Sequence, residues 1–130
     1  MKTFQLVLLP DRYAICRLEP GDSLPPWINR EGFVSITHTT EELSIICQEA
    51  LVPPAIQCQA GWHILKFEGI FEFSQTGVLA SVALPLAEAG VSLLAISTYD
   101  TDYVLIQSEQ LKQAIQWLQE AGHTFQFPGD

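Results

Sequence analysis

The sequence is poor in basic residues. Its 130 residues carry six Lys and Arg against fifteen Asp and Glu, which gives a formal net charge of −9. The basic residues are scattered and form no stripe: Lys2, Arg12, Arg17, Arg30, Lys66 and Lys112. Because nucleic-acid phosphates and anionic lipid headgroups are bound by clustered basic side chains, we expect neither nucleic acid nor a membrane as a partner. The acidic balance favours solubility and leaves a cationic ligand open.

The sequence also lacks the cysteine and histidine patterns of structural sites. It has three cysteines, Cys16, Cys47 and Cys58, with no CxxC and no Cys/His spacing of a zinc site. The odd count argues against a disulfide framework, so we expect buried free thiols in a reducing cytoplasm. Three histidines have no metal-ligand spacing either: His38, His63 and His123. We therefore predict no metal and no cofactor.

Long apolar runs and catalytic motifs are missing as well. The apolar run near the N-terminus stops at Pro10, which favours a strand over a signal peptide, and no run reaches the roughly 18 residues of a membrane span. The sequence has no GxSxG, no P-loop and no GxGxxG. The carboxylate pairs Glu41-Glu42 and Asp100/Asp102 are more typical of exposed acidic turns than of acid–base catalysis. We predict no catalytic residues and no enzymatic activity.

What the sequence does contain is enough apolar material for a core. Hydrophobic residues make up 48% of the chain and charged residues 16%, which indicates a folded globule. Four strands are expected in the first half, at residues 3–9, 12–18, 33–38 and 43–47. The turn signal Pro10-Asp11 predicts that the first two form a hairpin. Thr39 and Glu42 have capping-box spacing, which predicts a one-turn helix, and residues 56–61 are expected to connect the two halves.

The second half predicts the order strand, helix, strand, strand, helix, strand. The strands are expected at residues 62–68, 91–98, 102–107 and 124–127. Thr76 is the expected N-cap of the first helix, and Gly90 ends it. Pro85 removes one helical hydrogen bond, which predicts a kink or a carbonyl released to a neighbour. Ser108 is expected to cap the second helix. This order builds a split βαβ sandwich, an α+β fold with two helices on one face of an antiparallel sheet.

A polar corner is expected where this first helix begins. The helix N-terminus offers N–H groups and a partial positive charge to a carboxylate, and Gly77 allows close approach to the backbone. Asp100 and Asp102 are candidate acceptors for an ammonium or guanidinium group. The alternative is that Thr76 only caps the helix and the acidic residues only shape a turn. The preceding loop carries Phe71 and other aromatics, and is expected to cover either core or ligand.

The stretch GVLASVALPLAEAGVSLLAISTYDTDYVLI, residues 77–106, resembles the ACT domain, most closely those of aspartate kinases. Together with TEELSII at residues 40–46, it is similar to the small tandem-ACT proteins and the arginine-sensing CASTOR proteins. The resemblance implies a ferredoxin-like ACT sandwich in two tandem ACT-like units. It implies a reduced unit over residues 1–60 and an ACT domain over residues 61–130.

The resemblance also implies a function and a site. ACT domains bind amino acids or similar small molecules, usually where two units pack side by side, so a cytoplasmic homodimeric regulatory module is implied. The implied ligand-binding residues are Phe73, Ser74, Gln75, Thr76, Gly77, Val78, Ile96, Ser97, Thr98, Tyr99, Asp100 and Asp102. The alternative is a protein–protein interaction module with a degenerate, empty site, in which Leu84 and Ala80 would face a protein partner.

Overall fold

The computed structural model describes residues 2–72 and 75–130. The chain forms two compact units that do not follow chain order. One unit is residues 11–62, and the other combines residues 2–10 with the described part of residues 63–130. Whether residues 1–60 and 61–130 are two separate domains stays a prediction. No helix within the described ranges has the length and apolarity that crossing a membrane requires.

The 11–62 unit is an antiparallel sheet in the order β3-β4-β2-β5. Its elements are β2 (Tyr13–Leu18), β3 (Ser35–His38), β4 (Leu43–Gln48), a short 3-10 helix (Glu49–Leu51) and the first half of β5 (Cys58–Phe67). In β4, alternate residues Leu43, Ile45 and Cys47 are buried on one face, as expected for a half-buried strand. Residues 11–62, all of which the structure describes, contain no α-helix.

Two sequence expectations for this unit are wrong. The Thr39–Glu42 spacing makes a hairpin turn between β3 and β4, because Thr39 N–H donates to the Glu42 carbonyl and its Oγ1 accepts from the N–H groups of Glu41 and Glu42. Residues 58–61 belong to β5 and do not form a connector. A register shift against β2 falls there, and Gly61, with a φ of 84°, supplies the left-handed backbone of a bulge.

The other unit carries both helices. After β5 follow α1 (Ala80–Glu88), β6 (Leu94–Ser97), β7 (Asp102–Gln107), α2 (Ser108–Glu120) and β8 (Thr124–Gln126). This is the predicted βαββαβ order, and the ferredoxin-like α+β fold class is confirmed. The predicted strand at residues 102–107 is confirmed at both ends, whereas β6 is shorter than expected.

Strand β1 (Gln5–Leu8) belongs to this same unit and lies between β5 and β8. It pairs antiparallel with residues 65–67 and parallel with residues 124–126. The predicted hairpin of the first two strands is therefore wrong. The turn at Pro10-Asp11 exists, but β1 finds its partners in the second half of the chain and β2 pairs with β4 and residues 58–62.

The core of this unit lies between the helices and the sheet. Pairs at i and i+4 on each helix, Val82 with Leu86 and Ala114 with Leu118, are fully buried. They pack in one cluster with buried strand residues, namely Leu6, Leu65, Phe67, Val104 and Ile106. This packing holds the start of α1 beside the end of β6 and the start of β7, where the candidate site lies.

Candidate functional site

Two segments of the helix-bearing unit enclose a cleft of about 200 Å³. One is the loop that leads into α1, and the other is the turn between β6 and β7. The described residues that line the cleft are Phe71, Glu72, Gln75, Val78, Ser97, Thr98, Tyr99, Asp100, Thr101 and Asp102. The sequence-predicted loop and strand edge therefore do meet in space.

The strand side of the cleft is a tight hairpin turn. Ser97 ends β6, Asp102 begins β7, and the two are register partners, so their side chains lie on the same face. The Ser97 hydroxyl donates to Asp102 Oδ1 at 2.5 Å. Between them, Thr98 N–H donates to the Thr101 carbonyl at 2.9 Å, which closes the turn. The Ser97 hydroxyl thus fixes the position of the Asp102 carboxylate at the rim of the cleft.

Thr101 anchors this turn to the sheet. Only 5% of its surface is exposed, and its hydroxyl donates to the Phe67 carbonyl on β5 at 2.8 Å. The Asp100 carbonyl accepts the Phe71 N–H at 2.8 Å, which joins the turn to the loop on the other side of the cleft. The two walls of the cleft, the loop before α1 and the β6–β7 turn, are therefore joined by a backbone hydrogen bond.

The helix side is built differently from the prediction. The helix begins at Ala80, its N-cap is Leu79 without a side-chain cap, and a turn at residues 77–79 leads into it. The expected N-cap Thr76 is thus wrong, because the turn that Gly77 starts, with a φ of 77°, separates Thr76 from the helix. Val78 is buried beneath the cleft, and its carbonyl accepts the Ser81 hydroxyl at 2.6 Å.

The charges at the cleft are all of one sign. Glu72, Asp100 and Asp102 line it, and no Lys, Arg or His is among the described lining residues. Three carboxylates around a small volume attract a cationic group and oppose an isolated anion. The N–H groups of the first turn of α1 are already engaged, because Ser81 donates to the Gly77 carbonyl and Val82 and Ala83 donate to the Leu79 carbonyl. The corner is suited to a small molecule that carries more positive than negative charge.

The predicted site residues divide into three sets. Those that line the cleft are Gln75, Val78, Ser97, Thr98, Tyr99, Asp100 and Asp102. Thr76, Gly77 and Ile96 are not among the lining residues. Phe73 and Ser74 lie outside the described residues. Their roles as ligand contacts stay predictions.

Sequence reasoning missed three lining residues, Phe71, Glu72 and Thr101. The aromatic loop was a signal for the first two, but a loop of this kind covers core as readily as ligand. Phe71 lines the cleft and also covers the core, since its ring makes edge contacts with Phe4 at 5.3 Å and with Phe67 at 6.4 Å between centroids. Thr101 looked like an ordinary turn residue, and only its burial identifies it.

Other features of the described residues offer fewer polar and charged groups for binding. A larger cavity of about 520 Å³ lies in the 11–62 unit, but it is lined mainly by apolar side chains, with Arg30 as its charged group. Among residues 2–72 and 75–130, no group of three or more His, Cys, Asp and Glu side chains is arranged to hold a metal ion. The acidic cleft is therefore the strongest candidate for function.

Family models match both parts of the chain. The model of the ACT domain matches residues 57–120, which include β5, both helices and the cleft-forming turn. A second model, described as an N-terminal domain, matches residues 11–55.

A curated relative and two solved structures describe the likeness further. The human "Cytosolic arginine sensor for mTORC1 subunit 1" is 32% identical over 104 residues, which cover 72% of this chain. The chain spans about a third of that relative's length, 32%.

The structure of protein Atu0741 from Agobacterium tumefaciens is 35% identical, with a TM-score of 0.93, over 100% of this chain and 97% of that one. A structure of aspartokinase alpha and beta subunits shares the fold at 15% identity, with a TM-score of 0.63, over 92% and 98% of the two chains. With its matched βαββα segment and these relatives, the chain belongs to the ACT domain family.

Proposed function

We propose that this protein is a non-catalytic regulatory module that binds an amino acid in the acidic cleft between the loop before α1 and the β6–β7 turn. The observation that carries the proposal is the set of three carboxylates, Glu72, Asp100 and Asp102, around a cleft of about 200 Å³. This volume lies below the roughly 300–1,000 Å³ of pockets for drug-sized ligands, which favours a molecule of amino-acid size.

The charge pattern favours an amino acid with a basic side chain. An α-ammonium group and a second cation would each find a carboxylate, whereas an acidic amino acid would add negative charge to a negative corner. The α-carboxylate would be directed to the partial positive charge at the N-terminal end of α1. Arginine is the ligand named for the human relative, which makes arginine and lysine the first compounds to test.

The direct test is isothermal titration of the twenty amino acids into the whole chain. The proposal expects saturable binding of a basic amino acid, and at least a tenfold loss of affinity in Asp102→Asn, which keeps the shape and removes the charge. Glu120→Gln is the matched control, because it removes one exposed carboxylate at the end of α2, outside the cleft-lining set. Absence of binding by all twenty would contradict the proposal.

We further propose that the module is a cytoplasmic homodimer. The word "Cytosolic" in the human relative's name supports the location. Strand β6 has β7 as its one partner among the described strands, and Leu94 at its start is 42% exposed, so a second copy has an apolar edge to bind. Sedimentation at micromolar concentration tests the dimer, and a species of 14.5 kDa alone would contradict it.

A protein–protein interaction module with an empty cleft is the second candidate. Its support is the outer face of α1, where Ala80 is exposed and Leu84, one turn further, is 49% exposed. Leu84→Glu would abolish partner binding in this case and leave amino-acid titrations unchanged. A variant that instead changes ligand affinity would argue against a separate partner surface.

A further inference from the structure

The three cysteines lie together on one face of the sheet in the 11–62 unit. Cys16 on β2 is the register partner of Cys58 on β5, and Cys47 on β4 lies opposite Ala14, two residues from Cys16. Residues opposite each other in antiparallel strands point to the same face, and so do residues two apart in one strand. Cys16 and Cys47 also belong to one buried cluster of this unit.

The Cys16–Cys58 pair has the spacing that a disulfide needs. The hydrogen bond next to it runs from Arg17 N–H to the Gln57 carbonyl at 3.0 Å, so Cys16 and Cys58 are the narrow, non-hydrogen-bonded pair of the ladder. The Cα atoms of such a pair are about 4.5 Å apart, within the range of about 4.4–6.8 Å that disulfides span. Cys16 and Cys47 are diagonal neighbours at about 7–8 Å, which is too far for a bond without backbone movement.

Access distinguishes the two partners. Cys58 is exposed, whereas Cys16 and Cys47 are buried. A dissolved oxidant therefore meets Cys58 first, and Cys16 lies directly beside it. Burial and the neighbouring Cys47 and Cys58 thiols raise the pKa of Cys16 to about 12.

We infer that Cys58 and Cys16 form a thiol-oxidation site, in which Cys58 is the entry thiol and Cys16 the resolving thiol, with a small-molecule disulfide as the oxidant. The Cys58 thiolate attacks one sulfur of the oxidant, forms a mixed disulfide and releases one reduced thiol. Cys16, after losing its proton, attacks the Cys58 sulfur and releases the second reduced thiol. Two cysteine thiols are oxidised, one disulfide is reduced to two thiols, and the product is a bond between β2 and β5. The site uses none of the cleft residues and is independent of the proposed ligand.

The test is to incubate the native chain with oxidised glutathione, block the remaining thiols by alkylation and map the peptides by mass spectrometry. The expected product has lost two hydrogen atoms and retains no glutathione. Its digest should contain the Cys16 peptide joined to the Cys58 peptide by a disulfide bond. A thiol reductant should restore the original mass. Glutathione that remains on Cys58, a bond that involves Cys47, a dimer linked through Cys58, or no reaction would each overturn the inference.

Two variants sharpen the test. Cys16→Ala should accumulate a stable glutathione adduct on Cys58, because the resolving thiol is gone. Cys47→Ala is the matched control, since it removes a buried thiol from the same cluster, and it should form the Cys16–Cys58 bond as the wild type does. Circular dichroism checks that each variant is folded. If a variant does not fold, peptide mapping of the wild-type chain still decides whether Cys16 and Cys58 form a disulfide. A Cys16→Ala variant that is folded yet takes up no glutathione would overturn the assignment of Cys58 as the entry thiol.

Discussion

The Nε2 nitrogen of His123 lies 2.8 Å from the carbonyl oxygen of Ser81 in the buried part of the helix-bearing unit. This carbonyl is the one that Pro85, four residues later in α1, leaves without a helical donor. The Phe4 N–H donates to Nδ1 of the same ring at 3.0 Å, so the Nε2 nitrogen carries the proton and donates it to Ser81. The sequence left open whether the helix kinks at Pro85 or releases a carbonyl to a neighbour. In the structure, His123 donates a hydrogen bond to the released carbonyl.

His123→Ala should lower the free energy of unfolding by about 2–4 kcal/mol, because it leaves the buried Ser81 carbonyl and the partly buried Phe4 N–H without this partner and opens a cavity. His38→Ala is the control, since the His38 side chain bonds the Pro20 carbonyl at an exposed position, and it should cost less than about 0.5 kcal/mol. Urea unfolding measures both. Equal losses for the two variants would contradict the role of His123.

Pro85→Ala should reduce the cost of losing His123. An alanine at this position restores an N–H that can donate to the Ser81 carbonyl, so the double variant has one orphaned group fewer. We expect a coupling of about 1 kcal/mol between the two substitutions in a double-mutant cycle. Additive effects would mean that the Ser81 carbonyl does not depend on His123.

Thr101→Val should destabilise the protein by about 1–2 kcal/mol, because it leaves the Phe67 carbonyl without the buried hydroxyl that now donates to it. The same change should weaken ligand binding in the cleft, because the turn that presents Asp100 and Asp102 loses its anchor. Thr124→Val on the exposed side of β8 is the matched control and should change neither property. Thermal unfolding and titration calorimetry report the two effects separately.

Gly77→Ala should cost about 1 kcal/mol through backbone conformation alone. A Cβ at Gly77 would meet nothing within 4 Å, so the penalty arises from its φ of 77°, which disfavours side chains. Gly21→Ala is a matched control with the same open space and no left-handed φ, and it should be neutral or slightly stabilising. Similar unfolding midpoints for the two variants would contradict the assigned conformation.

Stability should fall in alkaline solution, because the thiols of Cys16 and Cys47 ionise in the unfolded chain before they ionise in the folded one. Burial raises the pKa of Cys16 from 9.0 to about 12, and burial raises that of Cys47 as well. The unfolded chain therefore releases these protons at lower pH than the folded one, so the stabilising contribution is complete below pH 9 and is lost as the pH rises towards 12. Unfolding free energies measured from pH 8 upwards should decline less steeply in Cys16→Ala than in the wild type. Parallel pH profiles would contradict this prediction.

The local pattern of the sequence determined the elements of the second half. The 3.6-residue period placed both helices, Gly90 marked the end of α1, and the polar run after Ser97 marked a turn between two strands. These features depend on neighbours a few residues away, which a sequence displays directly. The loop and the turn of the cleft were recognised for the same reason, together with the ACT-like motif that residues 77–106 carry.

Only the tertiary structure decided which distant segments meet. A strand's composition indicates that one face is buried but does not name its neighbour, so the hairpin predicted for β1 and β2 was a local guess that long-range pairing overruled. For the same reason the sequence did not predict the burial of Thr101, the pairing of Cys16 with Cys58 or the hydrogen bond from His123 to Ser81. Each of these depends on register between segments far apart in the chain, which burial of the whole core sets.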